Sequence, residues 1–492
     1  MKRVIEILKQ EGPLLSGNLA EKLIEKFGIS PEAARKVISR TNEPVRKLFN
    51  INFDNKQKYL YLDDHFSSGE LHSGLLEILN KSSKAYYAFI QAIIFHNGFI
   101  NKKQLPSYTF SPIKPLKGHR SAEKIISDLL KANIIINYND EVYQLSGLLF
   151  QLSNYSRFKA IEVAKRITLE QFNDWARNMN IIAYNMGRFF DSTAEFYKFQ
   201  WSFTAPSYLG VGSSITKKPS TFVAMDILLG KDIEEIDILY LIKKLKIIYN
   251  AKNVASIIPV LILDRSISPN AFKLLKNEGI MIGFIDQLFG RQYSELLKSL
   301  INVIENSAAI ISKNPDLLVE LMDKLSVLEG KSYNLRGDLF ELAVGYYYSA
   351  ISQFFEINKL IIDPKTNKKK EIDVFAKCPK DEIIIVECKG YNYPVDEEYI
   401  NKWLNDNIPA IRRWLLTQDD YSKKKIIFEI WSTSGFNKEA ERLLEEKAKN
   451  TKIYTIRYLG KKEILDASKE QGNKNLQKIV QKYFSQEFNN NK

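Results

Sequence analysis

The chain has 492 residues, 45% of them hydrophobic and 26% charged, with 71 basic against 58 acidic residues and a formal net charge of +13; that length exceeds one ordinary core, and about three domains are expected. The basic balance favours polyanionic partners. Two cysteines, Cys378 and Cys388, exclude a disulfide framework or a cysteine-based zinc site, and no segment approaches the ~20 consecutive apolar residues that span a bilayer.

The first residues, MKRVIEILKQEGPLL, interleave charged with apolar side chains and lack the continuous apolar run of a secretory signal, so the expected compartment is the cytoplasm. The stretch KRVIEILKQEGPLLSGNLAEKLIEKFGISPEAARKVISRTNEPVRKLF predicts three short amphipathic helices, and NINFDNKQKYLYLDD two strands around a polar turn. Ser30 is the expected N-cap of SPEAARKVISRTN, with Pro31 at its first helical position. Helices followed by a β-ribbon resemble a winged helix-turn-helix, here over residues 1–65. A similar order recurs over 70–150, where SSKAYYAFIQAIIFHNG is helical and HRSAEKIISDLLKANIIINYNDEVYQL gives a helix and strands. Such modules contact DNA, bind protein or join domains, and the residues do not choose among these. Residues 151–195 form a helical connector.

From about residue 200, β-rich runs alternate with amphipathic helices, which predicts α/β architecture with a mixed sheet. Two parts of this region resemble one another. TFVAMDILLG and SIIPVLILDRSISPNAFKLLKNEGIMIGFID match IIIVECKGYN and KIIFEIWSTSGFNKEAERLLEEKAKNTKIYTIR, with Ala271, Leu274 and Leu275 in step with Ala440, Leu443 and Leu444. One fold is expected twice, over 196–300 and 336–466, joined by a helical linker at 301–335. The tail, 467–492, is expected to be a short helix and then a disordered polar end.

In IIIVECKG, residues 383–390, alternation puts Ile383, Ile385, Glu387 and Lys389 on one face and Ile384, Val386 and Cys388 on the other. A strand so apolar on both faces is central, and its terminal charges need partners or a metal. All four histidines lie in the first quarter of the chain, so chemistry here falls to carboxylates and lysine. Upstream, KKKEIDVFAK supplies Asp373 in the spacing D-x13-E-x-K. Before it, NLRGDLFELAVGYYYSAIS is a helix with the apolar stripe Leu339, Leu342, Ala343 and Tyr346, and it carries Glu341 beside that stripe, between Gly337 and Gly345. The glycines suggest close approach by another segment. The competing reading is a surface salt bridge in which Lys389 pairs with Glu387 or Asp373. Cys388 is expected to be a packed core residue, and Tyr346 to Tyr348 core and helix surface.

Glu341, Asp373 and Glu387-Cys388-Lys389, in the order helix, strand, strand, helix, strand, helix, strand over about residues 330–465, resemble the PD-(D/E)xK nuclease superfamily, whose fold is called restriction-endonuclease-like, and its Mrr-type members most. Ile372 replaces the proline of the namesake motif. The resemblance implies that Asp373 and Glu387 hold Mg2+, with Mn2+ able to substitute, helped by the Cys388 carbonyl and by Glu341 directly or through water. It implies that Lys389 orients and helps deprotonate the attacking water and stabilises the phosphorane-like transition state. In the earlier copy Ala224 and Asp226 stand where Glu387 and Lys389 do, so that copy is expected to be inert and to serve dimer contacts, DNA clamping or partner binding. Lys365, Lys368, Lys369, Lys370, Arg412, Arg413, Lys423, Lys424 and Lys425 flank the site; of these Lys368, Lys369, Lys370, Arg412, Arg413 and Lys424 are the expected phosphate contacts.

The expected molecule is thus a multidomain α/β plus α+β protein: tandem winged helices, a degenerate restriction-endonuclease-like domain, and a C-terminal restriction-endonuclease-like domain with a mixed central sheet. The expected function is metal-dependent cleavage of double-stranded DNA, in restriction or anti-phage defence. One active site per chain nicks one strand, so a duplex break implies a homodimer or successive nicks. The alternatives are a DNA-binding regulator or scaffold with inactive nuclease-like domains, and a nuclease for RNA or single strands.

Overall fold

Apolar residues three and four apart place Val4, Ile7 and Leu8, then Leu19 and Leu23, then Ala34 and Ile38 on the inner faces of three helices, and all seven are buried together. In the computed structural model these helices are Lys2–Glu11, Ser16–Phe27 and Pro31–Ser39. The structure describes residues 1–51, 53–67, 70–147, 154–192, 194–209, 221–307, 309–310, 320–321, 333–470 and 474–481. Ser30 Oγ accepts the Ala33 N–H at 3.2 Å, and Pro31 follows it at the first helical position. The run ending in KLF departs from the helical expectation. Pro44 lacks an N–H and disfavours helix at the residue before it, and Val45–Leu48 is a strand. It joins an antiparallel sheet in the order Leu14–Leu15, Tyr59–Leu62, Val45–Leu48.

The chain divides into two compact units, Met1–Phe158 with Phe172–Leu288, and Lys159–Gln171 with Phe289–Lys492. In the first unit, helices Glu70–Ser82, Lys84–Phe95 and Ala122–Lys131 accompany a second antiparallel sheet, in the order Phe99–Asn101, Val142–Leu145, Ile135–Asn137. Both small sheets therefore place their last strand in the middle. Residues 151–195 are less helical than expected. The helix is Tyr155–Asn178, and short strands follow at Arg188–Phe189 and Glu195–Phe196.

Each unit also holds a five-stranded mixed sheet. In the first unit the order is Arg188–Phe189, Phe203–Pro206, Thr221–Leu228, Ser256–Leu263, Met281–Phe284, with two antiparallel and then two parallel pairings. In the second it is Phe354–Ile362, Lys369–Cys378, Glu382–Lys389, Lys425–Ser432, Thr455–Leu459, with the same sequence of directions. Ile383, Ile385, Phe428 and Ile430 of the second sheet pack against Ile400, Trp403, Ile411 and Leu444 of its helices, which buries the central strands and leaves their C-terminal ends as the place for polar groups. The molecule is mixed α/β, and among the described residues no helix is long and apolar enough to cross a membrane. The tail forms helix Lys474–Ile479, and the expected disordered end falls on 482–492, outside the described residues.

Candidate active site

Strands Lys369–Cys378 and Glu382–Lys389 pair antiparallel from Cys378↔Glu382 to Val374↔Val386, and there the ladder stops. The next residue on each strand is an acid, Asp373 on one and Glu387 on the other. The pairing of Lys369–Cys378 with Phe354–Ile362 also breaks at this point, passing from Ile357↔Val374 to Lys359↔Ile372. Opposite the break Asn358 takes φ 56°, a left-handed conformation that asparagine tolerates better than most residues. Asp373 thus sits where both flanking ladders are interrupted, with no change of register across the gap. Its Oδ2 accepts the Cys388 N–H at 2.7 Å.

On the neighbouring strand end, Lys389 Nζ lies 2.8 Å from Glu387 Oε1, and the same oxygen accepts the Tyr399 hydroxyl. The Lys389 ammonium also stands 4.7 Å from the centre of the Tyr399 ring. Tyr399 is held on helix Glu397–Lys402, whose N-cap Asp396 accepts the Tyr399 N–H at 2.8 Å.

Glu341 projects from helix Tyr333–Ile351, whose Leu339, Leu342, Ala343 and Tyr346 are buried as the apolar stripe requires. The close approach expected at the helix glycines is found at Gly337, where Gly390 of the neighbouring strand end comes against it. A Cβ on Gly337 would meet nothing within 4 Å, whereas one on Gly390 would lie 2.7 Å from the Arg336 carbonyl oxygen and 2.9 Å from Gly337 Cα. The end of the lysine-bearing strand is therefore pressed against the first turns of the helix that carries Glu341. The Glu341 carboxylate is bonded to Lys159, at 2.9 Å.

Asp373 keeps part of its surface in solvent, yet desolvation, followed by repulsion from Glu387 and Glu341, holds its carboxyl well above the usual range. Lys389 and the Cys388 N–H offset only part of this. Burial works to lower Lys389, but Glu387, then Tyr399 and Asp373, carry it well above its usual value. Burial raises the Cys388 thiol, which packs as a neutral core group and is only 5% exposed. Burial also pushes Asp338 up to about 7, with Lys159 opposing and Glu341 and Glu371 adding.

Among the described residues, no group of three His, Cys, Asp or Glu side chains is gathered to hold a metal. The donors at the strand ends fit Mg2+ in another way. Two carboxylates on adjacent strands give an all-oxygen donor set, which suits an ion that is held by one or two carboxylates and otherwise by waters and substrate phosphate. Glu341, expected to complete that shell, has its carboxylate engaged by Lys159 instead.

The first unit has no such interruption at the matching place: its ladder runs on from Ala205↔Val223 through Thr204↔Ala224 to Phe203↔Met225. Thr204, Ala224 and Asp226 occupy the places of Asp373, Glu387 and Lys389. Asp226 is fully buried and paired at 3.1 Å with an equally buried Lys244, whose ammonium also bonds the carbonyls of Ser107 and Gln200. The place of the lysine is filled by a closed internal ion pair.

Of the expected phosphate contacts, Arg413 is held by both oxygens of Asp363 at 2.8 Å, Lys370 by Asp406 at 2.6 Å, and Lys424 by Asp381 at 2.6 Å. Arg412 has its Nε buried without a hydrogen-bond partner, Lys369 is partly buried, and Lys368 is exposed. The aromatic run is core: Tyr348 donates to the buried Glu429, which also accepts from Trp431 Nε1 at 2.8 Å.

No family model, curated protein or solved structure matches the chain.

The sequence pattern missed Lys159, Asp338, Glu371 and Tyr399. Tyr399 lies twelve residues beyond Glu387, on the helix after the motif strand, and that position was its only mark. Lys159 carried none, being 182 residues from the acid it holds.

Proposed function

We propose that the chain is a Mg2+-dependent endonuclease of the PD-(D/E)xK kind that hydrolyses phosphodiester bonds of double-stranded DNA. The observation that carries the reading is the convergence of Asp373, Glu387 and Lys389 on one interruption of a mixed sheet, with Glu341 near enough to raise the carboxyl of Asp373. In this reading residues 1–65 and 70–150 are winged-helix modules, which the shared order of the two small sheets supports. Residues 196–300 are a degenerate copy of the nuclease fold, supported by the common order and direction of the two large sheets, and residues 336–466 are the active domain.

Asp373 and Glu387, with the Cys388 carbonyl, would hold Mg2+. The bound ion supplies an activated water and a positive centre for the charge that develops on the phosphate. Lys389, kept in place by Glu387 and Tyr399, orients the attacking water and meets the negative charge of the phosphorane-like transition state. Tyr399 fixes Glu387, so that Lys389 and its carboxylate partner keep one geometry between turnovers. A reading head and a cutter on one chain suit restriction or defence against foreign DNA. With the first copy inert, a duplex break needs two chains or two successive nicks.

The test incubates the full chain with plasmid DNA and Mg2+, Mn2+ or EDTA, beside Asp373→Ala and Lys389→Ala. Metal-dependent relaxation or linearisation that both substitutions abolish is expected. Equal cutting by all three proteins overturns the proposal, and a gel shift without cutting favours a DNA-binding regulator or scaffold.

A further inference from the structure

Lys159 lies outside every motif of the candidate site, in the segment Lys159–Gln171 that belongs to the second unit. Its ammonium is surrounded by side-chain oxygens from three elements: Asn358 Oδ1 at 2.8 Å, Glu341 Oε2 at 2.9 Å, Glu371 Oε1 at 3.5 Å and Asp338 Oδ1 at 4.0 Å. Its side chain is only 19% exposed. Ordering so long a side chain costs rotamer freedom, and a largely buried charge persists only where partners compensate it. Glu341 and Glu371 compensate it here, with Asp338 beside them, which leaves the cluster negative. Two further features tie the cluster to the catalytic strands. Asn358 is the left-handed residue opposite Asp373 at the interruption in the sheet, and Glu371 lies two residues before Asp373 on the same strand. Glu341 belongs to both groups, since it bonds Lys159 and also repels the charge of Asp373.

We propose that Lys159 is a positioning residue of the candidate metal site: it anchors Glu341 and, as a fixed positive charge, limits how strongly the neighbouring acids attract a divalent cation. The purpose of this arrangement rests on the nuclease reading; the electrostatic effect does not. Removing the charge takes the Lys159 ammonium away from Glu341 and Glu371, so the cation binds more tightly. Glu341 loses its anchor at the same time, so turnover falls.

The test titrates Mn2+ into the full chain by calorimetry without DNA, and measures cleavage in parallel. Lys159→Met is expected to tighten Mn2+ binding by about tenfold or more, as the loss of a nearby unit charge at intermediate dielectric requires, and to slow cleavage at saturating metal by at least about tenfold. A folding defect would weaken both readings together. Lys159→Arg, which keeps the charge, returns both toward wild type. Should Lys159→Met fail to fold, Glu371→Gln subtracts one negative charge from the same cluster and is expected to weaken Mn2+ binding. Wild-type Mn2+ affinity in folded Lys159→Met, or in Glu371→Gln where that variant is used, overturns the inference, as does the absence of Mn2+ binding by wild type and variant alike. A wild type that binds Mn2+ without cutting any DNA overturns the nuclease reading while the shift in affinity still reports on Lys159.

Discussion

The Oδ2 of Asp373 accepts the backbone N–H of Cys388 at 2.7 Å across the gap where two strands part. That bond holds the acid in place while desolvation, Glu387 and Glu341 disfavour its charge. Asp373→Asn keeps an acceptor for the N–H and removes the charge. It is expected to raise the melting temperature in EDTA by about 2–4 °C while abolishing metal-dependent cleavage. A lower melting temperature would show that the carboxylate stabilises the fold.

Two glycines that meet in space should respond in opposite ways. Gly390→Ala drives a methyl against the Arg336 carbonyl and Gly337 Cα, so helix Tyr333–Ile351 must shift and carry Glu341 with it. A cost of roughly 1–3 kcal/mol in denaturant unfolding is expected, together with slower cleavage. Gly337→Ala meets open space inside a helix and should stabilise by about 1 kcal/mol.

Asp363 is buried, and both its oxygens bond Arg413, with Thr366 and the Lys365 N–H as further donors. The Arg413 guanidinium, followed by those donors, holds its carboxyl far below the usual range. An acid depressed in the folded state stabilises fully above its unfolded pKa, about 4, and loses that contribution as pH falls toward the folded value. Arg413→Ala should cost roughly 2–3 kcal/mol at pH 7, less than a wholly buried pair because the guanidinium is partly in water. The gap from wild type should narrow below about pH 4. A gap that does not change with pH would place the loss in packing.

Binding to DNA should separate the basic residues by their tertiary partners. Lys368 is exposed, whereas Arg413 is already held by Asp363. Lys368→Ala is expected to lower the slope of log K against log salt by about one. Arg413→Ala should leave that slope unchanged, and a wild-type slope in Lys368→Ala would assign Lys368 no phosphate.

Local pattern foretold the elements whose logic is local. Ser30 and Pro31 start their helix as capping rules require, Leu339 to Tyr346 bury their stripe, and the alternation of residues 383 to 389 places Glu387 and Lys389 together. Pattern failed where a partner arrives from far along the chain. Charge runs gave Lys370, Arg413 and Lys424 as phosphate contacts, and each is paired with an acid distant in the chain. Val45–Leu48 was absorbed into a helical run because its strand partner, Tyr59–Leu62, is what makes it a strand. Asp226 was legible only as the residue in the place of Lys389, and Lys244, which pairs with it, carries no mark in a helix otherwise rich in lysine.

The ammonium of Lys159 also bears on how this protein can be shortened. A boundary drawn from the motif alone, near residue 336, yields a fragment that retains Glu341, Asp373, Glu387 and Lys389 and discards the lysine that steadies the first of them. On the nuclease reading, such a fragment would have an intact signature and an altered affinity for a divalent ion, so kinetics measured on it would not describe those of the 492-residue chain.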